Sequence, residues 1–210
     1  MQYSKEFKSK AIEIFYEGNS GRAVGRIMGI NKSTVCNWIK ELSKKENNVE
    51  EADDKITKEI IEIDELYTYV ESKKQAFIIT FVTRKPRQIV GFDVALDKNL
   101  KRIQRIADNI PKVKFYYSDA NWTYDKVSYF GTHYYFYDKS HTFTVEGINS
   151  DIRKYIATLQ RRSKCFFRSL DTFRAVMNIF VKAYNRFGDF KARFPKLKNS
   201  AYLTNFIPCP

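Results

Sequence analysis

Three acidic residues, Asp64, Asp119 and Glu146, stand where their context suits chemistry better than solvation. Asp64 interrupts the strand-like stretch EIIEIDELYTYV, where an unpaired carboxylate costs roughly several kcal/mol unless a cation or hydrogen-bond donors meet it. Asp119 closes the extended segment VKFYYSD, at the carboxyl edge of a strand, where sheet enzymes collect functional groups. Glu146 opens a helix on its polar face. At about 100° per residue, Asn149 and Arg153 fall beside it, and Ile148, Ile152, Tyr155 and Leu159 point the other way into a core. Carboxylates brought together repel one another unless divalent cations neutralise them, and hard oxygen ligands with open positions suit Mg²⁺ or Mn²⁺. A pair of such ions can activate a water or a 3′-hydroxyl and stabilise the leaving oxygen of an in-line phosphodiester displacement. Each acid also has a plainer reading: a surface acid on a strand, a turn residue before Asn121, an acid favoured by a helix dipole. Glu62 and Glu65 are the nearest decoys, Glu62 sharing a strand face with Asp64.

Other chemistries have little to work with. Cys36, Cys165 and Cys209 are widely spaced, and His133 and His141 are the only histidines. No CxxC or HxxxH spacing exists, which argues against a zinc site or a disulfide framework.

The elements that must position the acids follow from periodicity. Apolar residues Phe7, Ala11, Ile14 and Phe15 recur at helical spacing over residues 4–16, and Gly18 ends that helix. A second helix fits residues 21–28, burying Val24, Ile27 and Met28, with Gly29 supplying the turn. Asn31 or Ser33 caps a third, through Val35, Trp38, Ile39 and Leu42. Together these make a helix-turn-helix. Residues 46–59 carry six acids and two lysines and read as a linker.

The period then becomes strand-like over residues 60–70, 76–83 and 88–95, an antiparallel meander. A helix over 98–109, a strand over 113–117, a short helix over 123–130, a strand over 132–137 and a long helix over 144–162 complete the order βββαβαβα. That order is the one of the RNase H-like fold, a mixed α and β class in which the first and fourth strands are neighbours. The helix after the fifth strand leans across their end, so Asp64, Asp119 and Glu146 are expected to converge. A last helix over 171–187, with Phe173, Val176, Met177, Phe180 and Tyr184 on one side, is expected to pack onto the catalytic domain. A basic tail follows from 188 to 210.

Lysine and arginine number 37 against 24 acids, a formal charge of +13 that favours a polyanionic partner such as nucleic acid. Exposed Lys32, Ser33, Thr34, Asn37 and Lys40 at the start of the third helix are candidates for groove contacts. The run Arg161-Arg162-Ser163-Lys164 through Arg168 is a candidate for gripping phosphates near a scissile end. No apolar run has signal-peptide or membrane-span length, so a reducing, cytoplasmic compartment and no membrane partner are expected.

Several of these residues fall in a wider pattern. Glu62-Ile63-Asp64-Glu65 is followed by Tyr69-Val70 and Lys73, and Ser118-Asp119 by Tyr124. Lys139, Thr142, Glu146, Asn149, Arg153, Leu159, Arg161, Ser163, Phe166 and Ser169 come next. In these spacings the chain resembles the transposases of the insertion-sequence-one group, of the Asp-Asp-Glu class, over about residues 62–169, with a looser likeness in the helix-turn-helix. It differs in lacking a cysteine zinc-finger segment and in having Ala120 where a glycine often follows the second aspartate.

The resemblance implies that Asp64, Asp119 and Glu146 are catalytic and hold the metal. It makes Asn149, Arg153 and Arg161 supporting or phosphate-contacting residues.

The sequence therefore sets an expectation in four parts: helix-turn-helix over 1–45, acidic linker over 46–59, RNase H-like domain with an appended helix over 60–187, basic tail over 188–210. The expected function is binding of the inverted-repeat ends of the chain's own element in double-stranded DNA, then metal-dependent cleavage and transfer to target DNA. Joining at two ends calls for a homodimer or higher oligomer on DNA, nucleoid-associated in a prokaryote. Two other readings stay open: a catalytically inactive, transposase-derived repressor, and an RNase H-like nuclease or resolvase.

Overall fold

The computed structural model describes residues 3–46, 60–71, 74–138, 140–160 and 166–210. The expected linker beyond residue 46 therefore lies outside the described residues, as do Lys139 and Arg161. Among the described residues the chain forms seven α-helices and five strands, and no helix is long and apolar enough to cross a membrane.

The chain divides into two compact units. The first contains α1 (Lys5–Tyr16), α2 (Gly21–Met28), α3 (Lys32–Glu46) and α7 (Leu170–Arg193). The second contains β1 (Ile60–Val70) through Tyr69, β2 (Lys74–Thr83), β3 (Gln88–Ala95), α4 (Leu100–Asp108), β4 (Phe115–Asp119), α5 (Trp122–Asp125) and β5 (Thr132–Phe136). The boundary falls again inside α6 (Phe143–Tyr155), after Ser150.

In the first unit, side-chain caps set the helix starts: Ser4 accepts from Phe7 N, Ser20 from Ala23 N and Ser169 from Thr172 N. α2 ends on Gly29, left-handed at φ 66°, whose N–H bonds to Gly25 O. The three short helices bury Ala11, Ile12, Phe15, Tyr16, Val24, Val35, Trp38, Ile39 and Leu42. α7 packs against α3, and the buried Tyr16 hydroxyl donates to Val176 O at 2.8 Å. So α7 belongs with the helix-turn-helix unit, where the sequence boundaries had grouped it with the strands; its apolar stripe completes a core that three short helices cannot close alone. α7 also runs six residues past 187, through Gly188 to Arg193. Phe187 and Phe190 hold that stretch by meeting Phe206 of the expected tail, at 5.6 and 5.3 Å between ring centroids.

In the second unit one sheet has the order β3-β2-β1-β4-β5. β2 and β3 are antiparallel, and β1–β4 and β4–β5 are parallel. A cluster containing Ile61, Ile63, Ile79, Phe81, Ile103, Ile106, Tyr116 and Tyr124 fills the space under α4 and α5. The register pairs Ile63 with Ser118, so Asp64 and Asp119 follow at the same level. α6 stops at Tyr155 instead of running to 162. Ile156 turns extended (φ −116°, ψ 101°), and the Gly18 N–H takes the Tyr155 carbonyl, a tertiary stop that helical periodicity does not reveal.

Candidate active site

β1 carries two kinds of carboxylate because successive side chains alternate faces. Glu62 and Asp64 share one face; Glu65 lies on the other with Ile61 and Ile63. Glu62 is fully buried. Its Oε2 accepts the backbone N–H groups of Thr144 and Val145 at 2.8 and 2.9 Å, and its Oε1 accepts Arg84 Nε. The side chain therefore caps α6 from the neighbouring sheet, meeting amides that the first turn of any helix leaves without partners. Arg84 also donates to His141 O at 2.7 Å, and its guanidinium lies 5.0 Å from the Tyr117 ring and 4.7 Å from that of Phe143. Sequence reasoning treated Glu62 as a decoy. Its apolar neighbours Ile61 and Ile63 lie on the opposite face, as they would beside a surface acid, so no local signal separated it; the packing of α6 does.

The clamp delivers α6 to Asp64. Asn149 donates from Nδ2 to Asp64 Oδ2 at 2.9 Å. Its own Oδ1 is buried without a hydrogen-bond partner, in a residue only 4% exposed. Such an orphaned acceptor is uncommon and asks for a ligand. Burial, with Glu65 and Asp119 close by, lifts the Asp64 carboxyl to about 6.

One ligand atom from each of Asp64, Glu65 and Asp119 lies within 4.8 Å of the others. Asp119 ends β4, and its Oδ1 accepts Asn121 N at 3.2 Å. Glu65 is held on both oxygens, by Lys98 and Asn121 on Oε1 and by the Tyr124 hydroxyl at 2.5 Å on Oε2. Glu65, the second decoy, thus joins the acid group, and Tyr124 braces it. Glu146 is not part of that group. It stands partly buried in the first turn of α6, one turn before Asn149. Arg153 lies on the portion of α6 that belongs to the first unit.

Ser118, His133 and Asp125 share only their residue types with a hydrolase triad. Ser118 is fully buried, its Oγ donates to Asp119 O and meets His133 Nε2, both at 2.8 Å, and Asp125 is 3.6 Å from His133 Nδ1. The chain of bonds braces the backbone of Asp119.

The donor set fits a hard divalent cation. It offers carboxylate oxygens, an orphaned amide oxygen beside them, and mutual repulsion that a cation would relieve.

In the first unit, α3 presents Lys32, Ser33 and Asn37 exposed, and Thr34 and Lys40 partly buried. Ser33 is engaged locally, its N and Oγ bonded to Asn31 Oδ1 at 3.0 and 2.8 Å. α2 and α3 approach closely at Gly25, where an added Cβ would lie 2.8 Å from Ile30 O.

A transposase family model, a helix-turn-helix of the insertion-sequence-630 type, matches residues 1–85. None of the curated proteins matches the chain. The match covers α1 to α3, β1 and β2, and supports a DNA-binding transposase. It is of a different insertion-sequence group from the one the motif spacing pointed to, and it stops short of Asp119 and Glu146.

Proposed function

We propose that this chain is a DNA transposase of the Asp-Asp-Glu class that recognises the ends of its own element through α1 to α3 and cuts and joins DNA at the acidic centre. The observation that supports this most is the convergence of Asp64 and Asp119 from neighbouring parallel strands, with the unpartnered Asn149 Oδ1 beside them. The strand order β3-β2-β1-β4-β5 supports an RNase H-like reading of the second unit. The spacing likeness to the insertion-sequence-one group supports the class.

Asp64 and Asp119 would hold the cation. Glu146, one helical turn before Asn149, would be the third carboxylate, and Glu65, saturated by Lys98, Asn121 and Tyr124, would keep Asn121 and Asp119 in place. Bound Mg²⁺ or Mn²⁺ would supply activation of the attacking oxygen and stabilisation of the leaving one. Asn149 fixes the Asp64 carboxylate through Nδ2 and offers Oδ1 to a water proton. Glu62 and Arg84 keep α6 seated so that Asn149 reaches Asp64. Joining at two element ends would use at least two copies of the chain.

The test is a cleavage and strand-transfer assay with Mg²⁺ on duplexes taken from both flanks of the chain's own gene. The reading expects 3′-end cutting and joining by the wild type and none by Asp64→Asn. Duplex binding without any cutting by the wild type would instead favour a repressor, and equal cutting of hybrid or branched substrates would favour a nuclease.

A further inference from the structure

The candidate groove-contacting residues of α3 do not stand on a free convex face. Lys32, Ser33, Asn37 and Lys40 line a cleft of about 300 Å³ together with Phe166, Phe167, Arg168 and Thr172. Ser20, Gly21 and Arg22, where α2 begins, line it as well. Every lining residue belongs to the first compact unit.

The lining is one-sided in charge. Arg22, Lys32, Lys40 and Arg168 contribute four cations, and no acid is among the described lining residues. Arg22, Lys32 and Arg168 are exposed, so the charges sit at the rim where a ligand arrives. Deeper in, the Thr158 hydroxyl is buried without a hydrogen-bond partner. At about 300 Å³ the cleft is too small for a double helix and of a size for a stretch of sugar-phosphate backbone.

We propose that this cleft seats the phosphate backbone of the bound duplex, with Arg168 and Arg22 as phosphate contacts alongside the reading helix α3. This rests on the DNA-binding reading above and deepens it. The helix-turn-helix does not grip DNA alone; the segment that leads into α7 contributes to its cleft. The sequence made Arg168 part of a run that is a candidate for gripping phosphates near a scissile end; in the structure it lines the same cleft as residues of α3. A phosphate contact carries no base information, so Arg168 positions the duplex and the exposed Asn37 of α3 is left to read it.

The test uses the full chain in EDTA, with fluorescence anisotropy on a gene-flank duplex and on an unrelated one, over a salt series. Arg168→Gln should weaken both complexes about equally, by roughly fivefold, and flatten the salt dependence by about 0.9 in log–log slope, the amount expected for one lost phosphate contact. Arg168→Lys should restore most of both. If Arg168→Gln leaves affinity and slope unchanged while Lys40→Gln lowers them, the duplex lies on α3 alone and the composite cleft is wrong. A change in sequence preference at constant slope would also overturn it. No duplex binding by the wild type would sink the DNA-binding reading itself, a separable outcome. As a second readout, in a chain with Cys165→Ser and Cys209→Ser, alkylation of the cleft residue Cys36 should slow when duplex binds; an unchanged rate counts against the proposal.

Discussion

Asp64→Asn should stabilise the metal-free protein at neutral pH while removing its chemistry. The Asp64 carboxyl sits at about 6 against an ordinary 3.8, so the folded chain holds this proton more tightly than the unfolded chain does. Its contribution to stability is complete below the unfolded value and is lost as pH rises through about 6. A shift of roughly two units corresponds to about 3 kcal/mol, or on the order of 10 °C in the melting of a chain this size. Asparagine keeps the shape and can still accept from Asn149 Nδ2, but it has no charge to desolvate. Urea unfolding in EDTA should therefore give equal stabilities near pH 4, with the variant ahead by up to about 3 kcal/mol at pH 7.5. Adding Mg²⁺ should narrow the gap by stabilising the wild type alone. A variant less stable than the wild type at pH 7.5, or with the same pH slope, would show that the buried Asp64 charge does not cost the fold stability.

Four further outcomes follow from the structure. Glu62→Gln should cost about 3 kcal/mol, because it leaves Arg84 and the first turn of α6 without their buried anion; in denaturant unfolding, pairing it with Arg84→Met should cost less than the sum of the single changes. Gly25→Ala should abolish duplex binding and lower the melting temperature, since its Cβ would press on Ile30 O at 2.8 Å and Lys32 N at 3.3 Å. Gly29→Ala should cost only about 1 kcal/mol, since it is left-handed with nothing within 4 Å. Divalent-cation affinity should fall as pH drops through about 6, where the Asp64 proton competes with the ion; a flat calorimetric profile from pH 5 to 8 would contradict this.

Much of the fold was legible because its signals are local. α2 begins after a capping serine and ends on Gly29, and β1 is a run rich in β-branched and aromatic residues, so both were bounded correctly. What failed depended on distant partners. The end of α6 is set by Gly18, and the length of α7 by Phe206, which outweighs the helix-weakening Gly188. At the site, Asn149 was legible from its spacing to Glu146, and Asp64 from its apolar strand. The division of labour between Glu62 and Glu65 was not: one is a buried cap and the other a braced acid, and only the packing of α6 on one face of β1 and of α5 on the other assigns them.

Whether Asp64 and Asp119 form a divalent-cation centre is read out by Mn²⁺ binding to the full chain, followed by electron paramagnetic resonance at pH 7.5. Saturable binding is expected, abolished by Asp64→Asn and by Asp119→Asn, weakened by Glu146→Gln and unchanged by Lys40→Gln. Binding of equal strength in Asp64→Asn and Asp119→Asn, or none in the wild type, would contradict it.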